Sequence, residues 1–294
     1  MKKQWMAFPQ SSHAQKLREK IKIKFDISGD LIFKIAETKS ELEQAFQLVH
    51  DAYAQEGYIE PHPSGIRVCL MDALPTATTF VGMQGDKVVA TTSLFPDSAL
   101  GLPLDTIYKS EADHIRHQYR RIAEVGKLAS NPDFRFRDSS IPLHLNKIMF
   151  LYATEYLRVD DLVITVNPKH QRFYIDILLF EQIGEVKSLK SVNDNPAVLL
   201  RLDLRTAKEQ YRSVYQDLPL QNNLYYFYTM HQHDCIHLPA KRSPVNVWSE
   251  ELLHYFFQQK TDLFRGTTRD TLNLIKALHL SYYSDRLEQI FRSA

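Results

Sequence analysis

The stretch Ala123-Glu-Val-Gly-Lys-Leu-Ala129 combines residue types that can move a proton and steady a negative charge. Glu124 stands among apolar residues on a segment, Arg121 to Leu128, that reads as a strand. Burial there would raise its pKa into the range useful to a general base. The competing reading is a strand carboxylate paired with Arg120, Arg121 or Lys127. Gly126 lies two residues on. An isolated glycine in a strand marks a bulge or a close backbone approach. A bulge frees a backbone N–H from the ladder, and such a donor can face a developing oxyanion. The bland alternative is a glycine kept for packing. Arg67 closes the loop Pro63-Ser-Gly-Ile-Arg67. Its guanidinium matches a carboxylate with two parallel hydrogen bonds, unless it is an ordinary surface arginine. No Ser–His–Asp or Cys–His set stands out, so chemistry without a covalent intermediate is expected.

One further cluster invites a metal reading. His231-Gln-His-Asp-Cys-Ile-His237 sets three His and a Cys at alternate positions, one face of an extended strand. His and Cys are zinc ligands, but zinc sites usually combine distant ligand pairs rather than one alternating run. The expectation is therefore a polar turn between helices and no metal. The aromatic runs Tyr225 to Met230 and His254 to Phe257 are expected to pack helices rather than wall a tunnel.

The elements that must position these residues follow from periodicity. Alternation predicts a strand over Phe33 to Thr38. Thr38 or Ser40 then caps a helix with apolar positions Leu42, Ala45, Phe46, Val49, Ala52 and Tyr53, ended by Gly57. Thr76 to Met83 and Lys87 to Leu94 read as a hairpin about Gly85-Asp86. A largely exposed helix is expected over Asp105 to Gln118, and a helix entered at Pro142 buries Leu145, Ile148, Met149, Tyr152 and Tyr156. Asp161 to Val166 is a near-continuous apolar run, as a central strand requires. Gln171 to Phe180 reads as a short helix, and Gly184 to Val192 and Ala197 to Leu204 as the last strands. Beyond Thr206 helical periodicity dominates. The division expected is a basic N-terminal segment 1–32, an α/β core 33–204 and a helical C-terminal lobe 205–294. This order of elements is that of the GNAT fold, a mixed central sheet flanked by helices.

Whole-chain properties narrow the classes. The 294 residues are 44% hydrophobic and 24% charged, with net charge +1, which excludes a general polyanion binder. Lys2, Lys3, Lys16, Arg18, Lys20, Lys22 and Lys24 face a single acid, Glu19, before residue 25. This run reads as a solvated, mobile tail, or alternatively as a patch for an acidic partner or a membrane surface. No apolar run approaches the ~20 residues of a membrane span, and no secretory pattern follows the N-terminus. Two cysteines far apart fit a reducing cytoplasm. Nucleic-acid binding has only the basic run behind it.

An ordered set of segments resembles the N-acyl amino acid synthases of the FeeM type and, more distantly, the acyl-homoserine-lactone synthases. They are Phe46-Gln-Leu-Val-His-Asp-Ala-Tyr53, Gly57-Tyr-Ile, Pro63-Ser-Gly-Ile-Arg67, Thr92-Ser-Leu-Phe-Pro-Asp-Ser98, Gly101-Leu-Pro-Leu-Asp105, Ala123 to Ala129 and Val166-Asn-Pro-Lys-His170. The resemblance implies a GNAT-like fold, an acyl carrier protein as donor and a fatty N-acyl amino acid as product. No tightly bound cofactor is expected; the acyl-phosphopantetheine thioester is a co-substrate. The lactone synthases place a Glu and, three residues later, an Arg on a central strand, where this chain has Glu124 and Lys127. They also carry an Arg where this chain has Ser93, which argues against S-adenosylmethionine as acceptor. Arg67, Lys127 and Ser93 are thus the substrate-binding candidates. Residues 129–137 lack the glycines of a pyrophosphate-cradling loop and contain Pro132, which removes a donor. Arg135, Arg137 and Lys147 are the candidates to meet a carrier's phosphopantetheine. The alternatives are an acetyl-CoA-dependent N-acetyltransferase and a non-catalytic acyl- or partner-binding module.

Overall fold

The computed structural model describes residues 12–25, 27, 31–132, 134, 140–240 and 245–292, the side chains of 12 and 283–292 excepted. Its centre is a mixed sheet of strands β1 (Leu31–Ile35), β2 (Thr78–Gln84), β3 (Lys87–Pro96), β4 (Ile122–Ser130), β5 (Asp161–Val166), β6 (Glu181–Gln182), β7 (Lys187–Leu189) and β8 (Asn195–Asp203). The spatial order is β1-β2-β3-β4-β5-β8-β6, with β7 also on β8. Among the described strands only β4 and β5 pair in parallel, and the other strand pairs are antiparallel. With its flanking helices this is the GNAT-like arrangement.

One face is covered by α1 (Ser12–Lys20), α4 (Ile141–Leu151), α5 (Leu204–Tyr215) and α6 (Leu224–Thr229). Leu145, Ile148 and Met149 of α4 pack there with Phe33, Phe80, Val125 and Leu200. Each such fully buried side chain contributes about 1.5–3 kcal/mol relative to exposure. The other face carries α2 (Lys39–Gln55), α3 (Asp105–Arg116), α7 (Glu250–His254) and α8 (Arg269–Arg292). Helix α2 starts in a capping box: Glu41 N–H donates to Thr38 Oγ1, and Thr38 N–H donates to Glu41 Oε2, both at 3.2 Å. Helix α3 is less exposed than its sequence suggests, because Tyr108, Ala112 and Ile115 seal Ile122, Val163 and Leu199. Gly184 makes room for this: a Cβ there would stand 2.8 Å from Tyr108 and 2.9 Å from Leu199.

Two expectations about the chain ends need correction. The helical residues after 205 do not gather on one side. Tyr211, Tyr215 and Phe227 join the α4 face, whereas Trp248, Phe256 and Ile275 join the α2 face. Between them the chain runs beside edge strand β1, where Phe33 N–H donates to Cys235 O at 2.7 Å and His237 N–H to Phe33 O at 2.8 Å. The crossing covers backbone groups that an open edge would leave unpaired. Residues 12–25 are likewise not a solvated tail. Arg18 is buried and donates from Nε to Asp176 O at 2.7 Å, Ile23 N–H donates to Gln221 O, and the Asn222 amide reaches Glu19 O. Lys16, Lys20, Lys22 and Lys24 stay exposed; Lys2 and Lys3 lie outside the described residues. Among the described residues no helix is long and apolar enough to cross a membrane.

Candidate active site

The centre of β4 carries the candidate residues Glu124, Gly126 and Lys127. Ile122 O accepts from Asp97 N–H on the β3 side, and Arg121 O accepts from Asp161 N–H on the β5 side. Backbone groups alternate along a strand, so Glu124 and Gly126 turn theirs toward β3, and Val125 and Lys127 toward β5. Pairing of β4 with β5 ends at Val125↔Ile164, although both strands continue. Lys127 is therefore the first residue of β4 whose N–H faces β5 beyond the ladder. Gly126, the expected free donor, instead lies opposite Ser93 in the β3 pairing.

The irregularity expected at Gly126 sits one residue later. Opposite β3 the register steps from Ser93↔Gly126 to Thr91↔Ala129, so Lys127 and Leu128 stand across from Thr92 alone. Lys127 takes φ +55°, the left-handed conformation that a bulge can require. Strict alternation would send Lys127 to the face of Val125. The bulge returns it to the face of Glu124, with its Nζ near the Phe46 and Phe95 rings. There the ammonium pairs with the buried Asp72 carboxylate and donates to Arg67 O at 3.3 Å. Asp72 also accepts from Cys69 N–H at 2.6 Å. Lys127 is thus committed within the protein, and the expectation that it binds substrate directly is corrected.

Glu124 has none of the basic partners considered for it. Arg120 pairs with Asp161 and Asp203, Arg121 is exposed, and Lys127 belongs to Asp72. Among the described residues Glu124 makes no ion pair. It is 6% exposed and accepts one hydrogen bond, from Leu104 N–H to Oε2 at 2.7 Å. Burial pushes its pKa up to about 8; the Leu104 bond opposes the rise and the nearby Asp105 carboxylate adds to it. Asp105 is itself held by Arg116, which also grips Asp97. Leu104 and Asp105 escaped the sequence reading as site residues. Their loop contributes a backbone N–H, which no side-chain pattern reports.

Arg67 and Glu124 share a neighbour. Burial raises the Tyr53 phenol pKa, the Arg67 cation opposes the rise and the Glu124 carboxylate adds to it. The guanidinium carbon of Arg67 stands 5.0 Å from the Tyr53 ring centre, and its Nη2 donates to Ser191 O at 2.7 Å. Tyr53 had registered in sequence only as a core position of α2. The loop carrying Arg67 is fixed by His50, whose Nε2 accepts from His62 N–H at 2.9 Å. His50, His62, Ile66 and Arg67 line an open cleft of about 590 Å³ together with Thr261, Asp262 and Leu263.

The remaining candidates divide. Ser93 is buried on the Glu124 face and its hydroxyl meets Thr79 Oγ1 at 3.2 Å. Lys147, expected to meet a carrier, is buried on the opposite face and donates to Phe227 O and His231 O. That expectation is corrected. A cation on α4 beneath the sheet is closed off by the residues that follow α6. Arg135 and Arg137 lie outside the described residues.

A model of the N-acyl amino acid synthase FeeM family matches residues 44–203, the stretch from α2 through β8 that builds this site. The chain belongs to the FeeM family. Its activity is N-acyl transfer. A solved FeeM, an N-acyl amino acid synthase from uncultured soil microbes, is 30% identical to this FeeM-family chain. It covers 61% of this chain and 94% of its own length, with a TM-score of 0.54. A CoA-dependent acyl-homoserine lactone synthase, BjaI, solved with SAM and isopentyl-CoA, is 17% identical over 63% of this chain and 89% of its own, with a TM-score of 0.49. The AHL synthase LasI is 16% identical over 61% and 95%, with a TM-score of 0.45. No match is found among curated protein sequences. The family match ends at residue 203, so the helices after β8 lie beyond it.

Proposed function

We propose that this chain moves a long-chain acyl group from an acyl carrier protein thioester to the amine of an amino acid, with Glu124 as the proton acceptor. The observation that carries the reading is a buried carboxylate with one backbone donor, no cation paired with it among the described residues, and a pKa pushed up to about 8. A base in that range can take a proton from an ammonium near neutral pH and hand it on.

In the proposed reaction the acceptor's ammonium gives a proton to Glu124. The free amine attacks the thioester carbonyl, a C–N bond forms, and the C–S bond breaks. Glu124 releases that proton to solvent, takes the second proton that the nitrogen loses on becoming an amide, and passes it to the departing phosphopantetheine thiolate. The Lys127 N–H, turned toward the gap where β4 and β5 cease to pair, is the proposed donor to the oxyanion. Gly126 is not a donor in this scheme, and a Cβ there would meet the Phe95 ring at an ordinary contact distance of 3.4 Å. Arg67 is proposed to hold the acceptor's carboxylate from the cleft it lines. Ser93 stands where the lactone synthases that the chain resembles carry an arginine, and that departure favours an acceptor other than S-adenosylmethionine. The glycine-free stretch 129–137 supports a carrier-bound donor over free CoA.

The test is turnover with a long-chain acyl carrier protein, with the matching acyl-CoA and with acetyl-CoA. Each donor is offered a panel of amino acids and their amides, with products weighed by mass spectrometry. An N-acyl amino acid formed fastest from the carrier-bound donor is expected. Equal rates from acetyl-CoA would overturn the donor, and equal use of amides would overturn the carboxylate clamp.

A further inference from the structure

On the face of the sheet opposite Glu124, folding brings together residues from two distant parts of the chain. His144 comes from α4; His233 and Cys235 come from the segment that crosses β1. One donor atom of each lies within 4.8 Å of the other two. His144 and His233 are buried, with ring centres 4.9 Å apart.

The hydrogen bonds fix which nitrogen each ring offers. His144 Nδ1 lies 3.0 Å from Ser140 O, and His233 Nδ1 lies 3.0 Å from Phe25 O. A carbonyl can only accept, so each Nδ1 carries the proton and each Nε2 keeps its lone pair. An outer carbonyl that holds the ring and sets its tautomer is the usual second partner of a metal-binding histidine. His233 is 8% exposed, and its Nε2 has no hydrogen-bond partner among the described residues. An acceptor nitrogen buried in that way is costly unless something binds it.

We propose that His144, His233 and Cys235 form a zinc site that fastens the crossing segment to α4 and the edge of the sheet. Two imidazoles and a thiolate are a set that zinc accepts, with a water in the fourth position. Tetrahedral zinc holds such donors about 3.3–3.6 Å apart, so side-chain shifts of about 1 Å complete the site. On binding, the Cys235 S–H bond breaks, a sulfur–zinc bond forms, and the proton leaves to solvent; nothing is oxidised or reduced. The missing feature in the sequence was a distant ligand, and α4 supplies it. The site stands on the side away from Glu124, so its role is to hold the fold together rather than to act on the acyl group.

The experiment uses the full chain, expressed and purified without a metal-affinity tag. Zinc is counted by plasma mass spectrometry, and chelator-treated protein is titrated with Zn²⁺ and Co²⁺. The expected result is about one zinc per chain, a near-ultraviolet thiolate-to-cobalt band, and a melting temperature raised by roughly 5–10 °C at zinc about 100-fold above Kd. The band should persist in Cys69→Ala and vanish in Cys235→Ser, and His233→Gln should weaken binding at least about 10-fold. Wild-type protein without zinc, without the cobalt band and with an unmoved melting temperature would overturn the proposal, even if the variants fail to fold. A band lost in Cys69→Ala and kept in Cys235→Ser would overturn it equally.

Discussion

Glu124 and Lys127 stand three residues apart on one strand and face the same side of the sheet, yet they are not partners. The bulge at Lys127 turns its side chain back to the Glu124 face, and Asp72 then takes the ammonium. Glu124 is left with a single backbone donor, Leu104 N–H. A direct Glu124–Lys127 pair would have held the carboxyl low and spoiled it as an acceptor of ammonium protons. The separation of the two charges is what permits the raised pKa.

Glu124→Gln keeps the size of the side chain and an acceptor for Leu104 N–H but cannot take a proton. Turnover is expected to fall about 10²–10⁴-fold. With an acceptor amine that titrates well below 8, the wild-type kcat/KM should rise with an inflection near 8, and the variant should lack it. A folded variant with near-wild-type turnover at pH 7 would remove Glu124 from the chemistry.

The same residue makes stability depend on pH. Its pKa is about 8 folded and about 4.3 unfolded. The native state therefore keeps a proton that the unfolded chain has already lost. The wild type is expected to lose stability relative to Glu124→Gln as pH rises from about 4 through 8, by an amount on the order of 4 kcal/mol. Urea unfolding of both proteins across that range measures the difference. A constant difference would mean that Glu124 is not buried as an acid.

Asp72 and Lys127 should behave as a unit. Lys127→Met leaves a buried carboxylate without its cation, at a cost of about 3–5 kcal/mol. Asp72→Asn with Lys127→Met removes both charges and should recover much of that loss, with a coupling of about 1–3 kcal/mol. Additive losses in a double-mutant cycle would show that the pair does not interact in solution.

Arg67→Ala tests the acceptor's orientation. Losing a charge-assisted hydrogen bond of about 1.5–3 kcal/mol should raise KM for the amino acid about 10- to 100-fold, with a smaller change in kcat. If kcat alone falls, Arg67 acts through its bond to Ser191 O, as a brace for the site, and not on the acceptor.

Local pattern determined much of this protein. Alternation and helical spacing located the strands from Leu31 to Val166 and the helices between them, and Thr38, one of the two caps expected, stands where α2 begins. The apolar neighbours of Glu124 already implied a buried acid, because a strand flanked by apolar residues goes to the centre of a sheet. Partnership was decided only by the tertiary structure. That Lys127 belongs to Asp72, that Lys147 donates to carbonyls on the far face, and that Tyr53 neighbours both Arg67 and Glu124 are consequences of a one-residue bulge and of contacts across scores of residues. Sequence spacing fixes a face only while alternation holds, and one left-handed residue reverses it. A side chain's charge partner lies wherever packing places it, and no local spacing encodes that distance.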